Sequence, residues 1–202
     1  VRLLQAAGYR RMPWKNGGGE TAEILISPED AALEAFDWRI SMARVASAGP
    51  FSSFAGVDRT LAVLDGGGLA LNIGADAQRI VTPASAPLRF AADAVVHSAL
   101  IGGAVTDLNV MTRRGAYRHQ VERVALAGRI ERQLAADTVL VFCCEGRFDC
   151  VAEGQADGRG RATLEARDTV ILEPADARFA LTATRPGIAL VVSLYRIAAT
   201  PA

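Results

Sequence analysis

Residues 59–71 read RTLAVLDGGGLAL: an apolar run, an acid, three glycines, and at once a second apolar run. Apolar runs of four to eight residues bounded by glycine predict strands, and a turn this short predicts that one strand leads directly into the next. The same grammar continues outward in both directions, through TAEILI, WRISMARV, AVVHSAL and DLNVM to VERVAL, TVLVFCC, TVILE and IALVVSLYRI. The chain therefore reads as all-β with many short strands. No helical crossovers separate these runs, which argues against a doubly wound nucleotide-binding fold. The clearest helix candidate is PEDAALEAF at 28–36, where Pro28 and two acids suit a helix beginning; a single turn or a loop is the alternative.

The opening stretch has an echo. DTVLVFCCEGRFDCV at 137–151 repeats its plan of strand, glycine turn and strand. RIVTPASAPLRF, from 79, and DTVILEPADARFAL, from 168, repeat a strand that runs into proline, a polar turn and an Arg-Phe pair. Two antiparallel sandwiches on a similar plan would explain both echoes, with an insertion in the second at the loop GQADGRGRA.

Arg plus Lys and Asp plus Glu are equal at 22 each, so nothing in the bulk charge attracts nucleic acid or an anionic membrane. The first residues, VRLLQAAGYRRMPW, hold too short an apolar run for a signal peptide or a membrane span. The three cysteines, Cys143, Cys144 and Cys150, crowd one segment, unlike a secreted disulfide framework. A reducing, cytoplasmic setting and buried apolar thiols follow as the expectation. Only two histidines occur, His97 and His119, and His119 lies in a polar run that reads as exposed. A barrel metal site wants several imidazoles with a carboxylate, so neither a metal nor another cofactor is expected. There is no G-x-S-x-G elbow, and the triple glycine of MPWKNGGGETAEI fits neither phosphate-loop pattern.

What remains is polar groups spaced along strands. Strict alternation puts Asp107, Asn109 and Met111 on one face and Leu108 and Val110 on the other. It likewise groups Arg39 with Ser41, and Thr21 with Glu23. If these faces line a half-open barrel they converge on a small ligand, with Arg39 or Arg59 available to a carboxylate. If they face water, they are ordinary solvated strand residues. In the opening turn, Asn16 can hydrogen-bond the backbone, and the glycines after it can expose amides as part of a pocket rim or simply lead into the first strand. Lys15, the sole lysine, has a surface explanation as good as a functional one.

Four blocks in order, MPWKNGGGETAEI, FDWRISMARV, GPFSSFAGVDRTLAVLDG and GGAVTDLNVMTRRG, resemble the HutD/Ves family of small cupin-like proteins. The resemblance implies a cupin-like double-stranded β-helix, or jelly roll, in a two-part bicupin: residues 1–115 as one half, 116–202 as the other, with exchanged strands or shared sheets compatible. It implies a role in moderating histidine utilisation, or in a stress response, through a small carboxylic metabolite such as N-formylglutamate or urocanate. The positions that match are Trp14, Asn16, Gly17, Gly18, Thr21 and Glu23; Trp38, Arg39 and Ser41; Phe51, Ser52, Phe54, Gly56 and Arg59; and Asp107, Asn109, Met111 and Arg113. The scarcity of histidine departs from ordinary cupins and argues against metal-dependent chemistry on this scaffold. A binding protein is the preferred expectation, with Asn16, Thr21, Glu23, Arg39, Ser41, Arg59, Asp107 and Asn109 holding the ligand and no catalytic residue. The rivals are a metal-independent hydrolase or isomerase using Glu23 or Asp107 as general base, and a structural or protein-interaction role. A homodimer through an open strand edge is compatible with each.

Overall fold

The computed structural model describes every residue except 16, 134, 153–159, 173–177 and 199–202. The elements are strands, apart from a 3-10 turn at Ala6–Gly8. In chain order they are β1 (Arg2–Leu4), β2 (Arg10–Pro13), β3 (Gly19–Ser27), β4 (Trp38–Val45), β5 (Gly49–Pro50), β6 (Val57–Asp65), β7 (Gly68–Ile73), β8 (Arg79–Val81) and β9 (Leu88–Ala91). There follow β10 (Val96–Ile101), β11 (Val105–Arg113), β12 (Tyr117–Leu126), β13 (Arg129–Gln133), β14 (Thr138–Ala152), β15 (Arg161–Leu164), β16 (Thr169–Leu172) and β17 (Arg178–Arg196).

The chain forms two compact units. One comprises Val1–Tyr9 with His119–Arg196; the other is built on Arg10–Arg118. In the first, β1, β16, β14, β17 and β12 lie side by side, with β13 against β17 and β15 against β14. The N-terminal strand belongs here because Arg2–Leu4 pairs antiparallel with Thr169–Ile171, while Asp168 Oδ1 accepts from the Ala6 N–H at 2.9 Å. Tyr9 secures the same segment, donating to the Arg167 carbonyl at 2.7 Å. The core of this unit is a continuous apolar cluster that includes Val139, Val141, Phe148, Leu164, Phe179 and Leu181. Full burial of an aliphatic or aromatic side chain of this size contributes about 2–3 kcal/mol.

The second unit has a six-stranded sheet, β2-β3-β4-β11-β6-β9, and a four-stranded sheet, β5-β10-β7-β8. Leu61, Val63, Leu69, Leu71, Val96 and Val105 form one cluster between them, flanked by Trp14, Phe51 and Phe90. The turn Gly66–Gly68 carries the chain from β6 in one sheet to β7 in the other, as RTLAVLDGGGLAL suggests. Gly66 and Gly68 have φ of +88° and +136°, and a Cβ on Gly67 would lie 2.1 Å from the Ile101 carbonyl oxygen, so side chains are excluded from this corner.

Three expectations need correction. The second-half echo contains no turn, since β14 runs unbroken through Gly146 and stays paired with β17 across shifts of register around Glu145 and Arg147. The segment 28–36 is irregular, without a helix. Two of its carbonyls are taken from outside the segment: Arg113 donates to Phe36 O at 2.9 Å and Glu34 O at 2.7 Å, while Phe36 is fully buried with Val57, Ala92 and Met111. His119 is buried on β12 rather than exposed. Most of the insertion loop GQADGRGRA lies outside the described residues.

Candidate functional site

The six-stranded sheet sets the site by register. Opposite Asp107 on β11 stand Ala43 of β4 and Val63 of β6, and beyond Ala43 comes Thr21 of β3. The next row holds Glu23, Ser41, Asn109 and Leu61; the row after that holds Arg39, Met111 and Arg59. Because alternate residues share a face, all three rows point to one side of the sheet. Both carboxylates stand beside β-bulges. Leu64 is the extra residue next to the Asp107–Val63 pair, and Ile24 is the extra residue after the Glu23–Ser41 pair. Such bulges re-aim the side chains next to them.

This face lines a cavity of about 470 Å³. Thr21, Arg39, Ser41, Arg59, Asp107, Asn109 and Met111 form part of its wall, Ser98 comes from β10, and Phe51, Ser52 and Phe54 from the segment before β6. Trp14 and Lys15 contribute from the turn before β3, and Ala43, Val45 and the segment 47–50 complete the lining. Of the eight residues expected at a site, six line the cavity. Glu23 does not; it accepts from Arg39 Nε at 2.7 Å. Asn16 lies outside the described residues. His97 is exposed on the opposite face of β10 from Ser98.

The polar groups form two wired sets. In one, Glu23 holds Arg39. In the other, Arg59 Nε donates to Asn109 Oδ1 at 2.7 Å, and Asn109 Nδ2 donates to Asp107 Oδ1 at 2.7 Å. The Arg59 guanidinium also lies 4.5 Å above the Phe51 ring and 5.7 Å from that of Phe90, favourable cation–π placements. Each arginine is thus anchored through Nε, and among the described residues neither gives an Nη nitrogen to any bond. Two forks of donors remain at a wall where both arginines are under one-tenth exposed. Trp14 Nε1 donates to Thr21 Oγ1 at 2.8 Å and fixes the rim beside them.

Burial dominates the electrostatics here. It pushes the Asp107 carboxyl up to about 6, against the opposing influence of Arg59, the Asn109 bond and the Ala43 backbone N–H. It lowers Arg59 to about 10; Asp107 counters this and Arg39 adds to it, and the guanidinium stays cationic at neutral pH. Asp107 Oδ2 is fully buried and has no hydrogen-bond partner. Among the described residues no three His, Cys, Asp or Glu side chains gather in a way that could hold a metal ion. The three cysteines are buried in the other unit, and their thiols are pushed up to about 12, 11 and 12 for Cys143, Cys144 and Cys150, chiefly by desolvation. No helix among the described residues is long and apolar enough to cross a membrane.

Sequence reasoning passed over Ser98 and the segment 47–50 as site residues. The alternation of VHSAL separates Ser98 from His97 and was a usable signal; the loop has no periodicity to read.

Comparison with known proteins adds the family. The HutD family matches residues 6–191. An uncharacterized 21.2 kDa protein of the hutC 3' region in Pseudomonas putida is 35% identical over 155 residues, 77% of this chain and 80% of that protein. Protein Ves of Citrobacter koseri is 42% identical over 120 residues, 57% of this chain and 61% of Ves. A conserved protein of unknown function from Pseudomonas aeruginosa superimposes with a TM-score of 0.88 at 33% identity, covering 96% of this chain and 98% of that one. HutD from Pseudomonas fluorescens SBW25, solved in a formate condition, gives 0.82 at 30% identity, covering 98% and 99%. A cupin 2 conserved barrel domain protein from Leptotrichia buccalis, 10% identical with a TM-score of 0.56, shares the fold alone. With an all-β, cupin-like fold and a family match running nearly its full length, the chain belongs to the HutD/Ves family.

Proposed function

We propose that this protein is a cytoplasmic binder of a small carboxylic metabolite, such as N-formylglutamate or urocanate, and that by binding it moderates histidine catabolism. The two units are read as the halves of a bicupin in which one half carries the ligand. One observation carries the reading: two buried arginines, each anchored through Nε, leave their Nη donors at the wall of a cavity of about 470 Å³. A guanidinium fork matches a carboxylate in geometry as well as charge, and the cavity is of a size that encloses small ligands. Formate, in whose presence the Pseudomonas fluorescens HutD was solved, is the smallest acid of that class.

The test is calorimetric titration with N-formylglutamate, urocanate, glutamate and formate, repeated on Arg39→Met and Arg59→Met. Saturable binding of one acid, lost in either variant while the circular dichroism spectrum is kept, supports the reading. Absence of heat with all four removes it.

A second reading draws on Asp107, whose carboxyl lies nearer neutrality than an ordinary aspartate. That is the range of a general base, and a metal-independent hydrolase or isomerase acting on a similar acid would use it. Glu23 is the weaker candidate, being held in its ion pair with Arg39. Proton NMR of the bound acid over hours, with Asp107→Asn as control, separates turnover from binding.

A further inference from the structure

We infer that the two arginines of the cavity take different parts of the ligand. Arg59 meets its carboxylate and Arg39 meets an uncharged oxygen of the same molecule, so the ligand class is a small acid with a carbonyl, carboxamide or hydroxyl acceptor set apart from its anionic group. This deepens the binding reading above and rests on it.

The anchors carry the difference. Arg39 Nε donates to a carboxylate, Glu23 Oε2, at 2.7 Å, and both side chains lie almost wholly out of solvent. At that distance and at low dielectric the two charges largely cancel, so Arg39 keeps its Nη donors but has little net charge to offer. Arg59 Nε donates at the same distance to an amide, Asn109 Oδ1, which fixes the side chain and cancels nothing. Its counter-charge, Asp107, stands on the far side of that amide, accepting from Asn109 Nδ2 and from the Ala43 backbone N–H. Asp107 still attracts Arg59 from there, and Arg39 repels it. The Phe51 ring at 4.5 Å and the Phe90 ring at 5.7 Å stabilise the cation, again without neutralising it. Glu23 does not line the cavity, so it acts on a ligand only through Arg39.

Register keeps the two forks apart. Arg39 and Arg59 stand opposite Met111 on either side of it, so their backbones are two strand spacings apart, about 10 Å. Glu23 draws Arg39 toward β3, away from Arg59, whereas Asn109 draws Arg59 toward β11. A carboxylate seated on Arg59 therefore leaves the Arg39 donors to another acceptor of the ligand. A second carboxylate would be desolvated there against a charge that Glu23 has already balanced, while a neutral oxygen accepts the same hydrogen bonds at a smaller desolvation cost. Lys15 also lines the cavity, but it is exposed at the rim, where solvent and salt screen its charge.

Two isosteric changes move charge without moving shape. The paired exchange Asp107→Asn with Asn109→Asp brings the carboxylate one step closer to Arg59 at constant net charge: position 109 still accepts from Arg59 Nε, and position 107 still accepts from the Ala43 N–H and now donates to 109. Titrated at pH 7.5 with whichever of N-formylglutamate, urocanate, glutamate and formate binds the parent, the exchange is expected to weaken binding at least about 10-fold, because Arg59 then has the kind of anchor Arg39 has. Glu23→Gln keeps an acceptor for Arg39 Nε but removes its counter-charge, and is expected to tighten binding at least about 3-fold. A carboxylate that serves only as structural support predicts the opposite sign. The ligand class is read with N-formylglutamate and its two monocarboxamides: the parent should bind the better of the two amides within about 3-fold of the diacid, and Glu23→Gln should favour the diacid at least about 10-fold. An exchange that leaves affinity within about 3-fold, with binding still lost in Arg59→Met, overturns the inference and leaves the anion site standing. Weaker binding in a folded Glu23→Gln overturns it too, as does a parent that prefers the diacid at least about 10-fold over both amides, the mark of two anionic contacts. Should Glu23→Gln lose its folded spectrum, the exchange decides alone. If none of the four acids binds the parent, the binding reading falls and takes this inference with it.

Discussion

In one unit β14 pairs with β17; in the other β6 pairs with β11. Each pair is long, antiparallel and central to its sheet, and the two are filled in opposite ways. Val139, Val141 and Cys143 of β14, with Ala189 and Val191 of β17, point into a closed apolar cluster. Arg59 of β6, with Asp107 and Asn109 of β11, points into a cavity. The corners differ too: glycines break β6 from β7, while Gly146 only bends β14, with Gly187 of β17 close beside it. The comparison teaches that one sheet geometry supports either a solid core or a hollow polar wall, and that the second is held by ion pairing and hydrogen bonds rather than by packing. Buried charges of that kind contribute little net stability compared with apolar residues of the same volume, so the unit with the cavity should owe its stability to the apolar cluster between its two sheets.

The largest expected effect lies on the solid side. Phe148→Ala removes a fully buried ring and should cost about 3–5 kcal/mol in urea unfolding. On the hollow side the sign reverses. Asp107 has a folded value raised from 3.8 to about 6, so its favourable contribution is complete below the unfolded value and is lost as pH rises through the folded one. Asp107→Asn should therefore match the parent near pH 4 and exceed it by about 3 kcal/mol at pH 7.5, measured as the difference of two denaturation series. A variant equally or less stable at pH 7.5 would break the comparison. Arg59→Met should weaken acid binding by about 2–3 kcal/mol, the loss of charged hydrogen bonds, with the spectrum of the folded protein retained. Ser41→Ala, which removes one neutral hydroxyl from the cavity wall, should shift affinity by no more than about 1 kcal/mol. The smallest effect is none at all: buried thiols held well above their ordinary range should stay unlabelled by a disulfide reagent at pH 8 until denaturant is added.

Much of this was legible in the sequence because strands write their facing with period two. Asp107, Asn109 and Met111 were grouped by alternation alone, and they share the cavity wall. What alternation could not supply was which side is hollow, since Leu108 and Val110 on the opposite face are equally buried and the usual contrast between wet and dry faces is missing. The bulges at Leu64 and Ile24 were also invisible, because an extra residue changes register without changing composition. At 28–36 the local signal favoured a helix and tertiary structure overrode it, through Arg113 capturing carbonyls and Phe36 seeking its own small core. At Gly146 an expected turn became a shift of register within one strand, because β17 stays paired with β14 on both sides of it.

The pairing of β1 with β16 has a consequence in time. The bond from the Ala6 N–H to Asp168 spans 162 residues, and everything between Arg10 and Arg118 belongs to the other unit. On the ribosome the residues of that unit emerge as an uninterrupted stretch and have all their sheet partners at hand. The residues of β1, which precede that unit in the chain, have no strand to join until β16 has emerged. Contacts this distant in sequence form slowly, and domains generally fold as units in the order they are made. The hollow half is thus set to be born folded, while the solid half waits with β1 unpaired until β16 arrives.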